Sequence, residues 1–163
     1  MKYMQTGGFQ NHPLMRMTLG LTVVFLVAFW ITNFALYFAK MNLTPASVVS
    51  YYLGSEEEYR MPRTYQTMLE VTHAHLPMMA MVTLLLTHLL IFAPFTKRAK
   101  ISFIVLAFSS ALLSEASGWL VRFSHPAFSW LKVVSFLCLQ GTLAFLLVSL
   151  GIFLLRSSKA GRA

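Results

Sequence analysis

At 163 residues, with 57% of them hydrophobic and only 11% charged, the chain carries more apolar side chain than a soluble domain of this size can bury, so a bilayer has to share the burial. An ordinary soluble enzyme is excluded. The net charge of +8 would suggest nucleic acid in a soluble chain, but here it is concentrated between apolar runs and reads as membrane topology.

The apolar runs cover residues 17–39, 71–95, 101–123 and 133–155. Each has roughly 20 or more residues, enough to cross about 30 Å of hydrocarbon as helix. The expected fold is all-α, an integral membrane four-helix bundle forming one domain over residues 1–163. Lys2 and Arg16 precede the first run, which lacks a small-x-small cleavage site after it and is expected to stay as an anchor.

Next, "NLTPASVVSYYLG" (residues 42–54) offers Thr44 as N-cap, Pro45 at the first helical position and Gly54 as stop. A short interfacial helix is expected there, on the extracytoplasmic surface. "SEEEYRMPRTYQTMLE" gains helix-forming character from about Arg63, so the second spanning helix is expected to start in water. Pro94 and the basic "KRAK" turn mark its other end.

Lys97, Arg98 and Lys100 fill that turn, and Arg156, Lys159 and Arg162 follow the last run. The positive-inside rule therefore predicts both termini and this turn in the cytoplasm. The 41–70 segment and the 124–132 turn then lie outside. There Lys40, Arg60, Arg63 and Lys132 are offset by Glu56, Glu57, Glu58 and Glu70.

Polar groups gather toward that outer side. In "EVTHAHLPMM", Glu70 and His73 are three apart and share a helix face, whereas His73 and His75 are rotated by about 200° and point apart in a regular helix. The Glu70 spacing selects His73 for a metal or proton site facing Glu115 and His125, and leaves His75 for another helix or a partner; a haem wedged beside the helix selects His75 instead. Pro77 crowds the carbonyl of His73 and is a source of kinking. In "SEASGWLVRFSHP", Glu115, Gly118, Trp119 and Arg122 form one continuous face. Asn33 and Gln140 reach a similar depth, so each of the four helices places a polar group in the outer half of the membrane, and Asn33, Glu115, Arg122 and Gln140 are expected to form a polar network.

Plainer readings stand beside this one. Asn33 and Gln140 serve as packing contacts between helices, Arg122 pairs with Glu115 or reaches the headgroups, and Trp119 and Trp130 belong to an aromatic belt. His88 reads as a hydrogen-bonded core histidine and Cys138 as an inert core thiol. An ionisable residue inside a span, as Glu115 is, more often marks function.

Three chemistries suit the cluster. A b-type haem could take one axial bond from His73 or His75 and the other from His125. A transition-metal ion could be held by Glu70, His73, Glu115 and His125. A histidine and a glutamate at the membrane edge could exchange protons with a quinol. No Ser-His-Asp set, phosphate loop or Cys-x-x-Cys is readable, and there is no aspartate at all, which points away from an independent hydrolase or ATPase.

"TMLEVTHAHL", "SEASGWLVRFSHPAF" and "WLKVVSF" resemble the pattern of small four-span inner-membrane proteins of bacteria over roughly residues 50–155. The resemblance implies the topology above and brings no assigned activity. More distantly, the chain is similar to four-helix b-type membrane cytochromes that anchor or handle quinol, from which it departs in lacking paired histidines on two long helices. The expected function is a membrane subunit of a respiratory or other electron-transfer assembly, partnered by membrane or periplasmic redox subunits. The alternatives are a structural subunit and a metal-handling membrane protein.

Overall fold

The computed structural model describes residues 12–160, with side chains through residue 155. Five α-helices follow in order: α1 (Pro13–Phe38), α2 (Pro45–Leu53), α3 (Tyr65–Leu90), α4 (Lys97–Phe123) and α5 (Ser129–Ala160), the last preceded by a 3-10 turn at Pro126–Phe128. No strand occurs among the described residues. α1, α3, α4 and α5 are long and apolar enough to cross a membrane, and the all-α, four-span architecture with a short additional helix is as expected.

Local chemistry sets the helix ends. The Thr44, Thr64 and Thr96 side chains each accept a hydrogen bond from the backbone N–H three residues on, capping α2, α3 and α4. α2 stops at Gly54, whose φ of 87° lies in the left-handed region that only glycine adopts freely. A Cβ there would stand 2.7 Å from the Arg60 carbonyl oxygen. Ser55 and Arg60 exchange two backbone hydrogen bonds of 2.9 Å, folding the acidic loop back on itself, and Arg63 N–H then donates to the Tyr52 carbonyl at 3.0 Å.

All four spans begin earlier than the apolar runs suggest. Thr64 starts α3 several residues ahead of the apolar run, and the apolar segment 91–95 is turn rather than helix. α5 begins at Ser129, which moves Lys132 from the expected outer turn into a helix, where it is buried. α3 runs unbroken through Pro77.

α5 is the hub, packing on α4, α1, α3 and α2. Its contact with α4 is close because Ala107, Ser110, Ala111, Ser114, Ser117 and Gly118 form the buried face of α4, and small residues let membrane helices approach. One apolar cluster, including Leu86, Leu90, Ala107, Leu146 and Leu150, fills the bundle away from α2. A second, around Val48, Tyr52, Met68, Val121 and Phe136, lies beneath α2. α1 packs chiefly on α5, its contact with α3 and α4 being sparse at most, so α1 and α3 stand apart.

The outward faces are apolar, with Phe25, Leu112 and Val148 exposed. In a multi-pass membrane protein such faces contact the lipid bilayer. Cys138 is exposed on this surface rather than buried as a core thiol. His88 is likewise exposed, its ring meeting the Phe92 ring edge at 5.6 Å, and is not a core histidine.

Candidate functional site

Where α1 and α3 part, a cavity of about 480 Å³ opens beneath α2. α3 contributes Met68, Thr72, His75, Met79 and Thr83, spaced by three or four residues and therefore on one face. α4 adds Ser114, Glu115 and Gly118, α5 adds Lys132 and Phe136, and α1 adds Phe29, Asn33 and Tyr37. Lys40, Tyr51, Tyr52 and Arg63 close the end under α2.

The polar centre is a chain of hydrogen bonds joining α4 to α3. Trp119 Nε1 donates to Thr72 Oγ1 at 2.8 Å, and Thr72 Oγ1 donates to Glu115 Oε1 at 2.5 Å. The other carboxylate oxygen, Oε2, lies 3.3 Å from His75 Nδ1. The glutamate side chain is 13% exposed and the histidine 44%, so Glu115 occupies the inner position and His75 connects it outward. A carboxylate hydrogen-bonded to a more accessible imidazole is a unit that can accept a proton and pass it on.

Cations surround this carboxylate. Lys132 Nζ donates to the Ser114 carbonyl at 2.5 Å, one residue from Glu115, and the two charges are within Coulombic range. Burial holds the Lys40 ammonium below the ordinary lysine value; the like charge of Arg63 adds to this and Glu115 opposes it. Arg63 lies over the Tyr51 ring, 4.3 Å from its centre. Burial pushes the Tyr51 phenol up, against the pull of Arg63 and Arg60. The Tyr52 phenol is pushed up further, burial again being the main cause, with Tyr51, Glu115 and Tyr37 adding to it.

The expected residues divide accordingly. The structure brings Asn33, His75 and Glu115 to one cavity. His73 is exposed, on the other side of α3, so it is His75 and not His73 that faces Glu115. Glu70 accepts from Gln66 Nε2 at 3.1 Å on the outer surface. His125, also exposed, caps the 3-10 turn through Nδ1, which accepts from Ala127 N–H. Hence Glu70, His73, Glu115 and His125 do not assemble, and no group of three His, Cys, Asp or Glu able to hold a metal forms among the described residues. Of the histidines, His75 lines the cavity, and the second axial ligand expected from His125 points elsewhere.

Arg122 does not pair with Glu115; its Nε donates to the Arg63 carbonyl at 2.6 Å, tying α4 to the start of α3. Gln140 is buried outside the cavity, with neither side-chain polar atom bonded. The expected four-residue polar network is thus not formed. Thr72, Trp119, Lys132, Lys40 and the tyrosines of α2 were not anticipated. Met68, Thr72, His75 and Met79 share the cavity face of α3, but apolar residues on its lipid face mask that spacing in the sequence.

Neither the curated proteins nor the solved structures contain a match to this chain. A family model described as a transmembrane helical domain matches residues 42–161, which takes in α2, α3, α4 and α5 and so most of the cavity wall. The chain belongs to this family of transmembrane helical domains, Aq_1264_TM.

Proposed function

We propose that the cavity binds a lipid-soluble quinol and that His75 and Glu115 accept protons from its ring hydroxyls, making the chain a membrane subunit of an electron-transfer assembly. The observation that carries this reading is the His75–Glu115 contact of 3.3 Å on the wall of a cavity of about 480 Å³. That volume suits a small organic ligand. The parting of α1 and α3 supplies a lateral entrance from lipid, lined by Phe29, Leu36, Val71 and Met78, against which an apolar tail would lie.

Oxidation of a quinol releases two protons and two electrons. Each proton would pass to the Glu115–His75 pair and leave through the more exposed imidazole. The electrons require a one-electron haem or iron–sulfur centre on a partner subunit. With the orientation expected from the basic turns, α2 and the cavity mouth lie on the extracytoplasmic side, where the protons would be released. A structural-subunit reading draws on the same gap, which a partner's helix would fill.

Titration of the purified protein in nanodiscs with a short-chain quinone, read by quenching of tryptophan fluorescence, tests the proposal. Saturable binding is expected, with affinity reduced at least tenfold in His75→Leu and in Glu115→Leu. Absence of saturable binding, or binding by both variants as tight as by the unaltered protein, would overturn it.

A further inference from the structure

Lys132 is only 9% exposed and lines the cavity. An ammonium carries three donors, and among the described residues Lys132 uses them for one hydrogen bond, to the Ser114 carbonyl. Glu115, the single acidic residue of the cavity wall, is engaged with Thr72 and His75 and forms no ion pair with Lys132. Among the described residues the wall therefore carries three cations, Lys40, Arg63 and Lys132, against one carboxylate. A buried ammonium that lacks a directly bonded anion is costly, and in a membrane such a group marks a binding function.

We propose that the cavity takes its ligand as an anion, with a ring oxyanion received by Lys132 Nζ and the charge further offset by Lys40 and Arg63. The inference rests on the quinol reading and narrows its ligand to the singly deprotonated ring. One ring oxygen, its proton already passed through the Glu115–His75 pair, then meets Lys132, leaving the remaining hydroxyl as the second donor to His75 and Glu115. Because charge-assisted hydrogen bonds in a low-dielectric site are the strong ones, the anion should be favoured over a neutral ring of the same shape.

The test uses two probes on the full chain in nanodiscs at neutral pH, a 2-hydroxy-3-alkyl-1,4-naphthoquinone, which is anionic there, and its neutral 2-methoxy counterpart. The expected result is roughly tenfold tighter binding of the anion by the unaltered protein. That preference should fall to near parity in Lys132→Met. Equal binding of both probes by the unaltered protein would overturn the inference and leave the quinol site standing, and this arm needs no variant to fold. A preference that persists in Lys132→Met would overturn the assignment to Lys132. Binding of neither probe would remove the quinol reading and this inference with it.

Discussion

A Cβ placed on Gly118 would stand 2.6 Å from the Tyr52 hydroxyl oxygen and 2.9 Å from the ring carbon that bears it, so α2 can set its tyrosine against α4 only because α4 has no side chain there. Gly118→Ala is therefore expected to displace the Tyr52 ring, at a cost of about 1–3 kcal/mol from overpacking. Quinone affinity should fall as well, since both residues line the cavity. Thermal unfolding in detergent and the fluorescence titration would check the two effects; an unchanged melting temperature would show that the ring is free to move.

Thr72 links Trp119 to Glu115 through a single hydroxyl. Replacing it with valine keeps the shape, strands the indole N–H and removes a donor from the carboxylate. Breaking a part-buried relay of this kind costs about 1–3 kcal/mol. Thr72→Val should thus unfold at lower temperature, and Thr72→Ser should recover most of the loss. Failure of serine to rescue would assign the effect to packing of the methyl group.

Gln140 is 2% exposed, and its amide oxygen and nitrogen lack partners. The Trp30 Nε1 hydrogen bond of 3.1 Å goes to its backbone carbonyl and would survive a change of side chain. Gln140→Leu is accordingly expected to stabilise the protein by about 1–3 kcal/mol and to leave quinone binding intact. A loss of stability on this substitution would contradict the expectation.

Lys40 gives a pH signature. Its folded-state pKa is depressed, chiefly by burial, so its charged form is a burden on the fold. The folded chain releases the proton before the unfolded chain does. This contribution to stability is therefore unfavourable at neutral pH and improves as pH rises from the depressed value toward the ordinary lysine range, about 10.4. Tyr51 and Tyr52, both pushed up, act in the opposite direction once pH passes the ordinary tyrosine value of about 10, and Arg63 stays charged, so the rise is read below that pH. Lys40→Met should flatten the alkaline rise seen in denaturation profiles; an unchanged slope would assign the rise to another group.

The helices were legible because their signals are local. Runs of about 20 apolar residues mark the spans, and Thr44, Pro45 and Gly54 bound α2 as expected. The inward face of α3 was not, because in lipid the outer face of a helix is apolar too and periodicity loses its contrast. Glu70–His73 was chosen as an i, i+3 pair, whereas the buried face repeats through Met68, Thr72, His75 and Met79. Lys132 reads as a loop charge, since charge counting assigns basic residues to the membrane edge, while Ser129 starts the helix early enough to bury it. Trp119 looked like a belt residue for a similar reason: hydropathy does not reveal that its N–H meets Thr72. Glu115 was legible because an isolated acid within a span has few structural uses.

The ligand's position can be read directly by photolabelling. A photoreactive azidoquinone, irradiated with the intact protein in nanodiscs and mapped by mass spectrometry, should modify the stretches 29–36 on α1 and 71–79 on α3, which contribute to the cavity wall, and excess unlabelled quinone should suppress that labelling. Modification spread over lipid-facing residues such as Leu112 and Val148, with no competition by unlabelled quinone, would contradict a quinol site in this cavity.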